Sequence, residues 1–309
     1  MRLLANARLG AHHDKVMTVP PPDGSRDRRI EDPTNLWVIH PTARALLPRA
    51  LSARVSANAV SVIGLALGTA AAFCYSDWRS VPSVLLGLLL CTAWLIADGL
   101  DGMIARATGT ASPLGRFLDG LCDHGVFILI YVMLAASIGT AGAWALAIIA
   151  GAAHAVQSML YEGERARFHR RLKGVATGAV PPVLTRNPLL RGYDRLASLP
   201  ERGAGQFERL LSNASDPIGL GQDYGRRAAP VMKVMALLTA NVRVQAITVA
   251  CLLGMPKLFW WFEIVPLTII TAICIARHRR VELSFVRPSR FPDRDPLATA
   301  LSTREHRHS

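Results

Sequence analysis

Along this chain, long stretches free of Asp, Glu, Lys and Arg alternate with short, cation-rich ones. Ala59 to Ser76 is uncharged, and so is Val81 to Ala97, which runs into Asp98. Gly125 to Gln157 is again uncharged and too long for one crossing of a bilayer; Ser137, Gly139, Thr140 and Gly142 supply a turn that divides it. Val234 to Gly254 is interrupted only by Arg243, and Leu258 to Ala276 only by Glu263. Apolar runs near the roughly 20 residues that a membrane helix needs predict six spans. The fold expected is all-α: an integral membrane six-helix bundle.

Lys and Arg in the connections orient the bundle. With the N-terminus in the cytosol, the outer connections Asp77–Ser80, Ser137–Gly142 and Met255–Lys257 hold only Arg79 and Lys257. The other side holds Arg26, Arg28, Arg29, the block from Arg165 to Lys173, and Arg277, Arg279 and Arg280. Both termini are therefore expected in the cytosol. The chain divides into a disordered basic tail over 1–34, an interfacial helix with four spans over 35–173, a cytosolic amphipathic insertion over 174–229, two spans over 230–278 and a disordered tail over 279–309. Within 35–173, Leu36 to Ser52 mixes apolar and basic residues as a helix lying in the interface does. Trp78, Trp144, Trp260 and Trp261 read as an interfacial belt.

Composition sharpens this. The 309 residues carry 35 Lys+Arg against 22 Asp+Glu, a net charge of +13, yet 51% are hydrophobic, 18% charged, and mean hydropathy is +0.27. An ordinary soluble enzyme, a disordered chain and a disulfide scaffold are excluded. Cations beside anionic headgroups account for the basic balance, so no nucleic-acid partner is expected. Cys74, Cys91, Cys122, Cys251 and Cys274 are scattered in or beside apolar runs and read as free thiols.

The chemistry concentrates between Asp98 and His124, in DGLDGMIARATGTASPLGRFLDGLCDH. Asp98 and Asp101 share one helix face, as do Asp119 and Asp123. Thr108-Gly109-Thr110 closes one helix and Ser112-Pro113 opens the next, a hairpin that brings the two pairs together. Two charges 4 Å apart repel by about 4 kcal/mol at an effective dielectric near 20. Four clustered carboxylates therefore need cations or protons. Oxygen-only ligands suit hard ions, Mg²⁺, Mn²⁺ or Ca²⁺, and two such ions, Mg²⁺ or Mn²⁺ being the expected pair, would form a clamp for displacement at phosphorus. Gly102 and Gly115 leave room for close approach, and Arg106 suits a diphosphate.

The spacing Asp98-x2-Asp101-Gly102-x2-Ala105-Arg106-x8-Gly115-x3-Asp119-x3-Asp123 resembles the signature of the CDP-alcohol phosphatidyltransferases, matching at every specified position. At roughly 5–8% usage per residue type, a chance match at a given start is on the order of one in 10¹⁰. The resemblance implies a six-helix membrane fold, a site open to the cytosolic leaflet of the inner membrane, and transfer of a phosphatidyl group from a CDP-linked lipid such as CDP-diacylglycerol to an alcohol or lipid acceptor, with release of CMP. It implies two divalent ions held by Asp98, Asp101, Asp119 and Asp123, with Asp123 also the general base. It places Gly102, Ala105, Arg106 and Gly115 near the nucleotide diphosphate. Asn58 and Ser61 stand where the family contributes to the cytidine site, although Ala57 replaces its usual proline. Related enzymes also lead one to expect a homodimer.

The acceptor candidates are the polar residues of the later spans: His154, Gln157, Tyr161, Glu162, Arg165, Arg167, Asn241 and Arg243. A CDP-choline or CDP-ethanolamine phosphotransferase acting on diacylglycerol would keep the same motif. A divalent-cation transporter is a rival from another class, but it would need polar residues in the outer halves of the spans, which here are Ala, Leu, Ile, Val and Gly.

Overall fold

The computed structural model describes residues 27–110, 113–176 and 205–286, with the side chains of 113–123 outside that description. Helices, and no strands, make up the described residues. After a π-helical turn, Asn35–Ile39, come α1 (His40–Ser52), α2 (Ala57–Ser76), α3 (Val81–Thr108), α4 (Pro113–Ile138) and α5 (Ala141–Leu172). The ends follow the sequence signals. Ser56, Ser80 and Thr140 cap α2, α3 and α5 by accepting from the backbone N–H three residues on. Gly109 closes α3 at φ 67°, a conformation open to glycine.

The C-terminal part holds α6, described over residues 205–212, α7 (Pro217–Met235), a 3₁₀ turn (Ala236–Leu238), α8 (Ala240–Leu252), α9 (Lys257–Phe262), a π-helical turn (Glu263–Leu267) and α10 (Thr268–Val286). Four stretches among the described residues are long and apolar enough to cross a bilayer: α2, α3, α5, and Lys257–Val286. The run expected over Val234–Gly254 is not one straight helix. It is broken at Thr239, and Pro217–Leu238 meets Ala240–Leu252 at 45°, giving a fifth span if the pair counts as one. The break leaves the Leu238 carbonyl without a helical partner, and Arg243 Nε donates to it at 3.1 Å. The remaining expected span falls in α4, whose described part, His124–Ile138, is a shorter apolar helix.

Trp78, Ile138, Met255, Pro256, Lys257 and Trp261 meet around one pocket. The turns after α2, α4 and α8 therefore lie at one end of the bundle, which puts the starts of α2 and α4 and the end of α3 at the other. Val62, Ile63, Leu86, Leu89, Ile148 and Ile273 face outward. Such an apolar exterior is suited to hydrocarbon and not to water. The main core gathers Trp94, Phe127, Tyr131, Phe259 and Trp260. Trp260 is thus buried, not part of a belt, while Trp144 and Trp261 are exposed.

Two stretches outside the apolar runs pack into the protein. Residues 27–34, assigned to the N-terminal tail, pack into the protein, with Ile30, Glu31 and Asp32 buried; residues 1–26 lie outside the description. The stretch read as a cytosolic amphipathic insertion contributes Phe207, Leu211 and Tyr224, buried in a second core with Phe168 and Met232. Residues 177–204 and 287–309 lie outside the described residues.

Candidate functional site

Helix α3 runs 28 residues, longer than a bilayer requires, and its last turns carry the first acidic pair. Asp98 is half-buried and Asp101 is 6% exposed. The antiparallel packing of α2 on α3 brings Ser61 to this pair: its hydroxyl donates to Asp101 Oδ2 at 2.5 Å. Asn58, one turn earlier on α2, is exposed. Arg106 folds back along α3, so that a Cβ on Gly102 would lie 3.2 Å from its Nη1. Ala105 is half-buried between them in sequence. Gly115, Asp119 and Asp123 belong to α4 by their backbone, but their side chains lie outside the described residues, and so does Cys122. The donor set that is described, two carboxylates and a hydroxyl, fits a hard divalent cation.

Beside Asp98 opens a cavity of about 410 Å³ between α3, α4, α5, α8 and the N-terminal segment. Six of the expected acceptor candidates line it: His154, Tyr161, Glu162, Arg165, Asn241 and Arg243. Gln157 and Arg167 do not. Gln157 stands behind the wall, donating to the Glu263 carbonyl at 2.8 Å and accepting from Arg243 Nη2 at 3.0 Å. Arg167 pairs with Glu164 at 2.6 Å, away from the cavity. Arg243 is fully buried, and its charge is met by Glu263 at 2.7 Å. Glu263 sits at the start of the π-helical turn in the last apolar stretch. His154 Nδ1 shares a hydrogen bond of 2.9 Å with the Tyr131 hydroxyl. His124, next to Asp123 in sequence, also lines the cavity.

The sequence reading missed Glu31, Asn35 and His40, which form one wall. A signal was present. Asp32-Pro33 has the form of a helix N-cap with proline at the first position, and Asp32 Oδ1 accepts from the Asn35 backbone at 2.9 Å.

A second buried polar cluster lies further along α5. Arg171 Nη1 meets Glu282 at 2.5 Å and Nε meets Glu208 at 2.7 Å. His278 bridges Glu164 at 2.6 Å and the Tyr224 hydroxyl at 2.5 Å. Glu164, His278 and Glu282 are close enough to hold a metal ion. Arg167 and Arg171 already occupy their carboxylates, so this cluster reads as an ionic lock between α5, α7 and α10.

Comparison with known proteins bears on the first site. The CDP-alcohol phosphatidyltransferase family model matches residues 54–181, a stretch that includes both acidic pairs. The chain is also similar to the archaetidylinositol phosphate synthase of Aeropyrum pernix, 41% identical over 64 residues. That alignment covers 21% of this chain and 32% of the relative, so the chain spans about a third of the length of the curated protein it matches.

Proposed function

We propose that this chain, which through residues 54–181 belongs to the CDP-alcohol phosphatidyltransferase family, moves a phosphatidyl group from a CDP-linked lipid, CDP-diacylglycerol or a close relative, to an alcohol and releases CMP. One observation carries the reading. Asp98 belongs to the motif face shared with Asp101 and Ser61, and it also lines the polar cavity. A donor held at the motif and an acceptor held in the cavity would then share a wall.

The division of labour follows from the residue types. Asp98, Asp101, Asp119 and Asp123 would hold two divalent cations, Mg²⁺ or Mn²⁺. Bound there, the ions would screen the donor diphosphate and stabilise charge on the leaving phosphate. Arg106 would bind a diphosphate oxygen, with Gly102 and Gly115 leaving room for the nucleotide. Ser61, with Asn58 nearby, would present a hydroxyl to the cytidylyl half while fixing the Asp101 rotamer. Asp123 is assigned as general base. The acceptor oxygen gives its proton to that carboxylate as it bonds to the lipid-side phosphorus, and the bond from that phosphorus to the bridging oxygen breaks as CMP departs. The cation-rich connections support a site facing the cytosol.

The direct test is purified protein with Mn²⁺, CDP-diacylglycerol and a panel of alcohols, read as CMP release with the lipid product identified by mass. EDTA is expected to abolish turnover, with Mg²⁺ or Mn²⁺ restoring it, and Asp123→Asn to be silent. Full activity of Asp123→Asn removes that residue as base. Activity with diacylglycerol and CDP-choline, but not with CDP-diacylglycerol, moves the donor assignment to the phosphotransferase branch.

A further inference from the structure

The cavity beside Asp98 is built in large part by residues outside the family-matched stretch. Residues 31–35, Glu-Asp-Pro-Thr-Asn, are strapped across one side of it. Asp32 accepts from Asn241 Nδ2 on α8 at 3.0 Å with both oxygens. Gln245 donates to Thr34 at 2.7 Å, and Lys233 donates to the Glu31 carbonyl. These bonds fix the Glu31 side chain, 5% exposed, at the cavity wall. There its carboxylate stands 3.5 Å from Arg165 Nη2 and 3.8 Å from His40 Nε2, and accepts from Asn35 Nδ2 at 3.2 Å.

The charges decide what such a chamber accepts. Among the described residues that line it, the guanidiniums are Arg165 and Arg243. Arg165 lies between Glu31 and both oxygens of Glu162, each at 3.2 Å. Arg243 is paired with Glu263. Each guanidinium there already faces a carboxylate, so a phosphate binding to either would compete with one. The wall also carries carboxylate oxygens of Glu31 and Glu162 and the amide oxygens of Asn35 and Asn241, whose remaining lone pairs suit hydroxyl or ammonium donors.

We propose that Glu31 is a specificity-determining residue that restricts the acceptor to an alcohol carrying no phosphate or carboxylate. This rests on the transferase reading above. An anionic acceptor would face Glu31 across a few ångströms of partly dehydrated space, while a polyol or an amino alcohol would donate to it. Arg165, released from Glu31, becomes a phosphate ligand.

The experiment compares wild type with Glu31→Gln and Glu31→Asp in CMP release from CDP-diacylglycerol. The probes are glycerol, inositol, choline and ethanolamine against glycerol 3-phosphate and inositol 1-phosphate. Wild type is expected to favour the non-anionic set. Glu31→Gln should shift the ratio of kcat/KM toward the phosphorylated acceptors by about tenfold, with the KM for CDP-diacylglycerol unchanged, and Glu31→Asp should restore the wild-type preference. A purely structural role would lower every rate together and leave the ratio alone, which overturns the proposal. So does a wild-type preference for a phosphorylated acceptor. Absence of CMP release by wild type with every alcohol defeats the transferase reading itself, and this inference with it.

Discussion

Helix α5 carries two buried charge networks a few turns apart, built from similar parts. In the first, Arg243 joins Glu263 and Gln157; in the second, Arg171 joins Glu282, Glu208 and Tyr224. Each holds a carboxylate oxygen with no hydrogen bond, Glu263 Oε1 in one and Glu282 Oε2 in the other. What differs is the ground in front of the arginine. Arg243 spends three N–H groups on Leu238, Glu263 and Gln157 and borders the cavity. Arg171 is closed over by rings, with Phe207 at 5.0 Å and Tyr224 at 5.3 Å from its guanidinium carbon. Burial and pairing alone therefore do not mark a site. The same chemistry becomes a binding wall where space adjoins it and a clamp between helices where aromatic packing fills that space.

The strongest test of that contrast removes one partner from each network. Breaking a buried pair leaves an uncompensated charge and costs about 3–5 kcal/mol. Arg171→Met and Glu263→Gln should both lose stability on that scale in detergent unfolding. Their kinetics should part. Per folded molecule, Arg171→Met keeps the acceptor KM, whereas Glu263→Gln raises it several-fold with the donor KM unmoved, because Arg243 loses its anchor beside the cavity. Equal acceptor KM changes in the two variants would make the networks one coupled unit and end the distinction.

A smaller effect is expected on the motif side. Ser61→Ala removes the hydroxyl that donates to Asp101. A hydrogen bond to a charged group is worth about 1.5–3 kcal/mol, so a rate loss of roughly ten- to a hundredfold should follow if the contact is kept in the transition state. The unfolding midpoint should fall as well, but by less than in the buried-pair variants, since Ser61 is only partly buried. An unchanged rate of CMP release would detach Ser61 from the site and leave its contact with Asp101 a packing detail.

How legible these regions were in the sequence follows the range of their contacts. Asp98, Asp101 and the helix ends around Gly109 were readable because local spacing and capping set them. The six candidates that line the cavity were readable as polar residues in apolar surroundings, but their sorting from Gln157 and Arg167 was not, since helix rotation decides it. Arg243 and Glu263 were each visible as the lone charge of an apolar run. Opposite signs in neighbouring runs are the signal for such a pair. Glu31 was lost to a tail because its neighbours are basic and proline-rich. Its anchors, Lys233 and Arg165, and the Asn241 that fixes Asp32, are remote in sequence. The break at Thr239 left no Gly or Pro mark at that position; Pro230 lies inside α7.

The smallest effect concerns how the clamp is closed. Gly221 on α7 lies against the end of α5 so tightly that an added Cβ would fall 2.1 Å from the Arg171 carbonyl oxygen. That oxygen is backbone, so it cannot swing aside as a side chain would. Gly221→Ala gains roughly 1 kcal/mol of helix propensity, while overpacking of this kind costs about 1–3 kcal/mol. The net expectation is a loss of up to about 2 kcal/mol, read as a lowered unfolding midpoint with acceptor and donor KM both unchanged. A stabilised variant would mean that α7 can move away from α5 freely. The Arg171 network would then be a consequence of helix packing and not the cause of it.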